Sequence, residues 1–255
     1  MFFGAPSKYR VMELFGIPIY LDTSFAILLL LFVLSNGSFQ VGLTHALILA
    51  LSVLLHEFGH SLTARAFGYR TNDITISLLG GCASLIALPR KGWQEFLTAL
   101  AGPLVSFLLS ASALAVSWLV EIESDWLNGV VAYTFWLNLM LGGFNLLPGF
   151  PLDGGRIFRS FMLLFLSRPK ATFVAMVVGR VFAILLGLSG LHAVLTGGAW
   201  GLVRILIAWM IWKEGYREYL LARMESNWDY RDYRARVSPP PYGGDGDDCD
   251  VRKDR

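Results

Sequence analysis

The amino-acid sequence predicts an all-α, polytopic membrane protein with about six transmembrane helices. Of its 255 residues, 55% are hydrophobic and only 16% are charged, and the mean hydropathy is +0.55. This composition is too apolar for an ordinary soluble domain. Apolar segments of spanning length follow one another along the chain. The expected spans are residues 20–36, 43–67, 96–120, 127–148, 170–195 and 199–221.

The positive charges predict how these spans are oriented. Lys and Arg residues precede the first span, lie between spans two and three and between spans four and five (Arg159 and Arg168 among them), and follow span six. The opposite connections, near residues 37–42, 121–126 and 196–198, contain neither Lys nor Arg. Because cytoplasmic loops are enriched in Lys and Arg, we expect a multi-pass protein of the cell membrane with both termini in the cytoplasm.

The C-terminal segment differs in composition from the rest of the chain. Residues 239–241 are three consecutive prolines, and residues 243–255 are rich in glycine and aspartate. We therefore predict a transmembrane core over residues 1–225, followed by a disordered cytoplasmic tail over residues 226–255. The net charge is only +2, which gives no reason to expect nucleic acid as a partner.

Three polar side chains interrupt the second span, in the sequence His56-Glu57-Phe58-Gly59-His60. Positions four apart share one face of a helix, so His56 and His60 can bind the same metal ion. Glu57 is rotated about 100° from His56, and can act on a water molecule instead of binding the metal. This is the layout of a zinc hydrolase. Such side chains are costly in an apolar span unless they are functional.

A catalytic zinc usually has three protein ligands, and Asp153 is the best candidate for the third. Pro148 and Pro151 prevent the fourth span from continuing as a helix. Irregular backbone at membrane depth is tolerated where it is buried in protein or lines a water-filled cavity. Asp153 is then expected near the cytoplasmic end of span four, at the depth of the two histidines. The alternative is that Asp153 caps a helix beginning at Gly154.

These segments together resemble the site-2 protease family of intramembrane zinc metalloproteases. The resemblance rests on His56-Glu-x-x-His60 paired with the later segment from Asn145 to Gly154, Asn-x-x-Pro-x-x-x-x-Asp-Gly, and covers roughly residues 9 to 220. Shorter matches are Gly16-Ile17-Pro18 with Asp22, Gly80-Gly81, Ala101-Gly102-Pro103 and Gly179-Arg180. Some members of the family carry PDZ or CBS domains. We find neither in this sequence, and expect a compact member of the prokaryotic type.

The resemblance implies that His56, His60 and Asp153 bind one zinc ion per chain and that Glu57 is the general base. It also implies that Asn145 helps to hold the substrate, although an interhelical amide hydrogen bond would explain Asn145 equally well. The implied activity is cleavage of transmembrane segments of membrane-tethered proteins near the cytoplasmic side, as in regulated intramembrane proteolysis. The expected partners are a transmembrane protein substrate, the lipid bilayer and a regulatory membrane protein.

Residues 74–88 predict a small membrane-associated β-hairpin between helices two and three. They are too short for a span, and two β-prone arms flank Gly80-Gly81, which we expect to form the turn. An exposed edge there could bind an extended substrate by β-augmentation, which makes Gly80 and Gly81 candidate substrate-binding residues. The alternative is an ordinary cytoplasmic hairpin that packs on the helices.

Two other functions fit part of the pattern: a metal-binding transporter or scaffold without hydrolase activity, and a zinc hydrolase that acts on lipid esters. A transporter would spread polar groups over several spans. Here the ionisable residues cluster in span two and around Asp153, apart from Arg180 in span five. Arg180 needs a partner or a water-filled cavity, either in a structural ion pair or at the active site.

Overall fold

Four strands and seven helices make up the part of the chain that the computed structural model describes, which is residues 8–35, 38–77, 80–85, 91–198 and 200–237. In chain order they are β1 (Lys8–Leu14), β2 (Ile17–Asp22), α1 (Thr23–Ser35), α2 (Phe39–Ala66), β3 (Thr71–Ser77), β4 (Gly80–Leu85), α3 (Gly92–Leu119), α4 (Asp125–Asn145), α5 (Asp153–Met162), α6 (Arg168–Leu195) and α7 (Gly201–Val237). The prediction of a mainly helical chain with a hairpin between its second and third helices is confirmed.

Four of the helices, α2, α3, α4 and α6, are long and apolar enough to cross a bilayer. They correspond to the expected spans two to five. The first and last expected spans have a different form. α1 has 13 residues, or about 20 Å of helix, because residues 20–22 belong to β2. α7 has 37 residues, and its apolar part is interrupted by Arg204, Lys213 and Glu214.

The strands form one sheet in the order β1-β2-β3-β4. β1 and β2 are antiparallel, β2 and β3 are parallel, and β3 and β4 are antiparallel. A parallel pair requires a crossover connection, and here α1 and α2 supply it. β1 and β2 were not predicted from the sequence, because the apolar residues of β2 run directly into those of α1. The outer edge of β4 is one edge of the sheet.

The hairpin predicted from residues 74–88 is formed by β3 and β4, but its turn is not where it was expected. Gly80 and Gly81 are the first residues of β4 and pair with Ser77 and Ile76. The prediction of a Gly-Gly turn is therefore wrong, because this register leaves residues 78 and 79 as the connection. Those two residues, and the end of the predicted hairpin at 86–88, lie outside the described part of the chain.

The sheet packs on α2 through a buried apolar cluster. Its members come from β2, β3, α1 and α2, and are Ile17, Ile19, Phe25, Val53, Phe58, Ile74 and Ile76. Full burial of one such side chain contributes roughly 1.5–3 kcal/mol. Val53 and Phe58 lie on either side of His56 in the sequence, so the sheet anchors the part of α2 that carries the polar motif.

The contact between α2 and α3 is very close at one point. A Cβ added to Gly59 would lie 2.7 Å from the carbonyl oxygen of Ala101, so only glycine fits at this crossing. α3 also contains Pro103, which has no N–H to donate to the carbonyl oxygen of Ala99. The segment Ala101-Gly102-Pro103 is thus the place where the backbones of two candidate spans meet.

A buried network of ion pairs joins α3, α5, α6 and α7. Glu95 accepts hydrogen bonds from Arg159 Nε at 2.8 Å and from Arg168 Nη2 at 2.7 Å, and Arg159 Nη1 donates to Glu218 at 3.1 Å. Arg159 is 2% exposed, and its guanidinium carbon lies 4.9 Å from the centre of the Phe150 ring. Arg159 and Arg168, counted above as loop charges, therefore hold helices together.

The final helix extends beyond the boundary that composition suggested. α7 continues to Val237, so residues 226–237, which we expected in a disordered tail, are helical. Residues 238–255 lie outside the described part of the chain.

Candidate metal centre

His56 and Glu57 are buried on α2, and His60 is partly buried. His56 and His60 are one helical turn apart and project toward α3 and α5, and the exposed fractions of His56 and Glu57 are 3% and 7%. Because α2 packs against the sheet, α3 and α4, these polar side chains lie inside the protein instead of facing lipid. About 15 Å of helix separates His56 from the C-terminal end of α2.

Asp153 is the first residue of α5, and its carboxylate points at the histidines. Asp153 Oδ2 lies 3.1 Å from His56 Nε2 and 3.1 Å from His60 Nε2. The N-cap position of α5 is occupied by Leu152, and the helix has no side-chain cap. The alternative interpretation of Asp153 as a helix cap therefore does not apply.

The backbone before α5 fixes where this carboxylate lies. The chain turns sharply after α4, and a Cβ added to Gly154 would lie 2.2 Å from the carbonyl oxygen of Leu146. The first turn of α5 thus rests directly on the backbone that ends α4. This contact, which only glycine permits, holds Asp153 at the depth of His56 and His60.

The three donor atoms converge as ligands of one metal ion would. The two Nε2 atoms are 3.2 Å apart, and all three residues have a donor atom within 4.8 Å of the others. Ligand atoms held 2.0–2.1 Å from a tetrahedral zinc lie roughly 3.3–3.4 Å from one another. Two imidazole nitrogens and one carboxylate oxygen are also the donor types that zinc prefers. The site therefore fits zinc in both its chemistry and its spacing.

The other ring nitrogen of each histidine is held by α3. His60 Nδ1 lies 2.7 Å from the carbonyl oxygen of Thr98, and His56 Nδ1 lies 2.9 Å from Ser106 Oγ. A carbonyl oxygen can only accept, so His60 carries a proton on Nδ1, and in the neutral ring Nε2 then has the lone pair. This is the tautomer that a metal ligand requires.

Gly102 leaves open the space into which the two Nε2 atoms point. A Cβ at this position would lie 2.2 Å from His60 Nε2 and 2.7 Å from His56 Nε2. Any side chain on residue 102 would therefore collide with both nitrogen donors. In the sequence, Ala101-Gly102-Pro103 indicated only a similarity to a family. In the structure, Gly102 of this segment leaves space beside the candidate ligands.

The structure brings together four of the seven residues singled out from the sequence. His56, His60, Asp153 and Glu57 form one buried group. Asn145 ends α4, and its Nδ2 donates to the carbonyl oxygen of Leu141 in the same helix, which differs from the interhelical bond considered above. Gly80 and Gly81 lie in the edge strand β4.

Among the described residues, none forms the ion pair with Arg180 that we considered. Its guanidinium carbon lies 4.5 Å from the ring centre of Trp212 and 5.7 Å from that of Tyr216. Within the described residues its Nε has no hydrogen-bond partner. Arg180 therefore connects α6 to α7 through cation–π contacts.

Sequence reasoning missed Ser106 and Thr98, the two residues that hold the histidine rings. Both are small polar residues in an apolar helix, where they usually back-bond to their own helix. A signal was present nonetheless. Thr98, Gly102 and Ser106 are four residues apart on α3, which puts three small residues on one face of the helix. This is the face that contacts the two histidines.

Comparison with known proteins gives consistent matches. Peptidase family M50 matches residues 44–123 and 121–188. A zinc metalloprotease of Methanocaldococcus jannaschii is 38% identical over 188 residues, which cover 71% of this chain and 53% of that protein. A putative zinc metalloprotease of Synechocystis is 36% identical over 222 residues, covering 80% and 58% respectively. The chain thus spans a little more than half the length of these curated relatives.

A solved structure extends this likeness to the fold. The site-2 protease from Methanocaldococcus jannaschii superposes with a TM-score of 0.63 at 32% identity, covering 84% of this chain and 95% of that one. The matched family covers both histidines and Asp153, the residues whose donor atoms converge here. The chain therefore belongs to peptidase family M50, the site-2 protease family of zinc metalloproteases, and is a multi-pass membrane protein.

Proposed function

We propose that this protein is an intramembrane zinc endopeptidase that cleaves transmembrane segments of membrane-tethered proteins near their cytoplasmic side. One observation supports the proposal: donor atoms of His56, His60 and Asp153 converge beside the buried carboxylate of Glu57, inside a bundle of apolar helices. A buried group of this kind serves hydrolysis when a carbonyl and a water molecule can reach it. Each chain would bind one zinc ion, through His56, His60 and Asp153.

In this proposal the metal ligands and Glu57 have different roles in catalysis. Zinc, when bound, supplies a Lewis acid that polarises a carbonyl group and lowers the pKa of water to about 7. Glu57 is adjacent to the ligands and not one of them, so its carboxylate is available to take a proton from the attacking water. It then delivers that proton to the nitrogen of the leaving amine. The surrounding helices exclude bulk water and so strengthen these interactions.

The edge strand β4 supports a substrate-binding role for the sheet. A transmembrane helix must unwind locally before a protease can reach its amides, and the unwound segment then needs hydrogen-bond partners. The outer edge of β4 offers such partners by β-augmentation, and Gly80 and Gly81, without side chains, permit close approach. β4 also contacts α2, which carries the metal ligands. Asn145, at the end of α4, is our candidate for a further substrate contact.

We further propose that α1 and α7 span the membrane together with the four longer apolar helices. Six spans put both termini on one side, and the positive charges assign that side to the cytoplasm. The test uses single cysteines at Ser38, in the α1–α2 connection, and at Lys91, before α3, in a chain without Cys82 and Cys249. A membrane-impermeant maleimide should label Ser38→Cys in intact cells, and Lys91→Cys only after permeabilisation. The reverse pattern would overturn the orientation.

The decisive experiment compares wild type with Glu57→Gln, purified and reconstituted into vesicles with single-span membrane proteins. We expect both to hold about one zinc per chain, because Glu57 is not a ligand. Cleavage, identified by mass spectrometry of the fragments, should fall by about 10²–10⁴-fold in the variant. A variant that cleaves at the wild-type rate would exclude Glu57 as the base. Zinc-dependent release of fatty acid from the vesicles, without peptide cleavage, would show a lipid hydrolase instead.

A further inference from the structure

Helix α3 packs beside the two histidines of α2, and the residues that contact them have the same four-residue spacing. Thr98, Gly102 and Ser106 are four residues apart on α3, and His60 and His56 are four apart on the antiparallel α2. Thr98 meets His60, Ser106 meets His56, and Gly102 lies beside both Nε2 atoms. Each imidazole therefore has its own hydrogen-bond partner, and both partners come from one helix.

From this geometry we propose that Ser106 is a positioning residue for the metal centre, which orients the His56 ring and holds the proton on its Nδ1. The inference rests on the proposed zinc site, and goes beyond it by assigning a residue that is not itself a ligand. His56 Nε2 faces Asp153 Oδ2 and His60 Nε2. It can offer a lone pair to an ion there only if Nδ1 carries the proton. Nδ1 then donates to Ser106 Oγ, which lies 2.9 Å away.

The two histidines are held in chemically different ways. The partner of His60 is a backbone carbonyl, which no substitution of Thr98 removes. The partner of His56 is a side-chain hydroxyl, so the orientation of this ring depends on the identity of residue 106. Ser106 is also 0% exposed, so water from outside cannot replace the hydroxyl. Without it, the ring would have no acceptor for its proton and would be free to turn away from Asp153.

Ser110 provides a matched control on the same helix. It lies one turn beyond Ser106, is 3% exposed, and donates its hydroxyl to the carbonyl oxygen of Phe135 in α4 at 3.0 Å. Ser106→Ala and Ser110→Ala therefore each remove one buried, hydrogen-bonded hydroxyl from α3. Only the first removes a hydroxyl that contacts a metal ligand, so the pair separates positioning from general helix packing.

The test measures zinc affinity of the purified full chain by competition with a chromogenic chelator. It also records the visible absorption of the Co²⁺-substituted protein, which reports on ligand geometry. We expect Ser106→Ala to bind zinc about 10–100-fold more weakly than wild type and to change the Co²⁺ spectrum. Ser110→Ala should match wild type in both measurements. Ser106→Thr, which keeps the hydroxyl, should restore most of the affinity.

Three outcomes would overturn the inference: equal affinities in the two Ala variants, an unchanged Co²⁺ spectrum in Ser106→Ala, or Ser106→Thr as weak as Ser106→Ala. In each case wild-type zinc binding would leave the proposed function standing. If wild type itself bound no zinc, the proposed function would fail first. The two failures are therefore distinguishable.

Discussion

Within the described residues, the candidate metal centre and a network of ion pairs are two polar clusters inside an apolar protein. Their charges are arranged differently. The candidate metal centre consists of His56, His60 and Asp153. The ion network consists of Glu95, Arg159, Arg168 and Glu218. Both draw on α3 and α5, and α5 carries Asp153 at its start and Arg159 near its end. They therefore share a scaffold, and differ in how their charges are satisfied.

The formal charges of the four residues in the ion network balance. The network has two carboxylates and two guanidinium groups, and each guanidinium bonds to at least one carboxylate. The candidate metal centre instead brings three potential donor atoms to one place, all within 4.8 Å of one another. A buried cluster with balanced charges stabilises helix packing, whereas one with converging donors is suited to bind a ligand.

The largest effect is expected when the carboxylate of the candidate metal centre is removed. Asp153→Asn keeps the shape of the side chain but removes an anionic ligand, so we expect zinc binding and all measurable hydrolysis to be lost. In the metal-free variant the side-chain oxygen of Asn can still accept a hydrogen bond from a histidine ring, as Asp153 Oδ2 does at 3.1 Å, so the unfolding temperature should change less than zinc binding does. Metal analysis, a cleavage assay and thermal unfolding measure this. Full zinc affinity in Asp153→Asn would exclude Asp153 as a ligand.

Removing one charge from the ion network should act mainly on stability. Arg159→Met leaves Glu218 without its arginine and Glu95 with only Arg168, and we expect a loss of about 3–5 kcal/mol in the free energy of unfolding. Arg159→Met combined with Glu218→Met leaves the balanced pair Glu95–Arg168, so the double variant should regain most of that loss. Unfolding in mixed micelles measures both. A double variant no more stable than Arg159→Met would show that charge balance is not what matters.

Smaller effects are expected from substituting two glycines at the α2–α3 contact. One glycine leaves space for the candidate ligands, and the other allows the helices to pack closely. In Gly102→Ala the added methyl meets both Nε2 atoms, and in Gly59→Ala it meets the carbonyl oxygen of Ala101. We expect the first to weaken zinc binding at least tenfold. The second should cost about 1–3 kcal/mol of stability with less effect on the affinity of correctly folded protein for zinc. If the two variants had equal zinc affinities, Gly102 would be a packing residue only.

The comparison also explains which features the sequence could predict. His56 and His60 follow from helical spacing alone, and Asp153 from the prolines that interrupt its span together with the family resemblance. The ion network could not be predicted in this way. Arg159 and Arg168 have the pattern of positive loop charges, and Glu95 looks like a polar residue at the start of a span. Their partners are 59 to 73 residues away in the chain, so only the fold pairs them.

The errors in the sheet have a similar origin. Gly80-Gly81 has the local chemistry of a turn, but the register of β3 against β4 is set by pairing along the whole strand. β2 was hidden because its apolar residues continue without a break into α1. Local preference gives way here to contacts between distant segments.

Gly102 has one more consequence, for how the bundle assembles. Helices in a bilayer are held together largely by close packing of their side chains and backbones. Sliding α3 by one turn, about 5.4 Å, would bring Thr98 or Ser106 to the place that Gly102 occupies, and its side chain would strike the two imidazoles. The lack of a side chain at Gly102 thus favours one alignment of α2 and α3 when the two helices associate in the membrane.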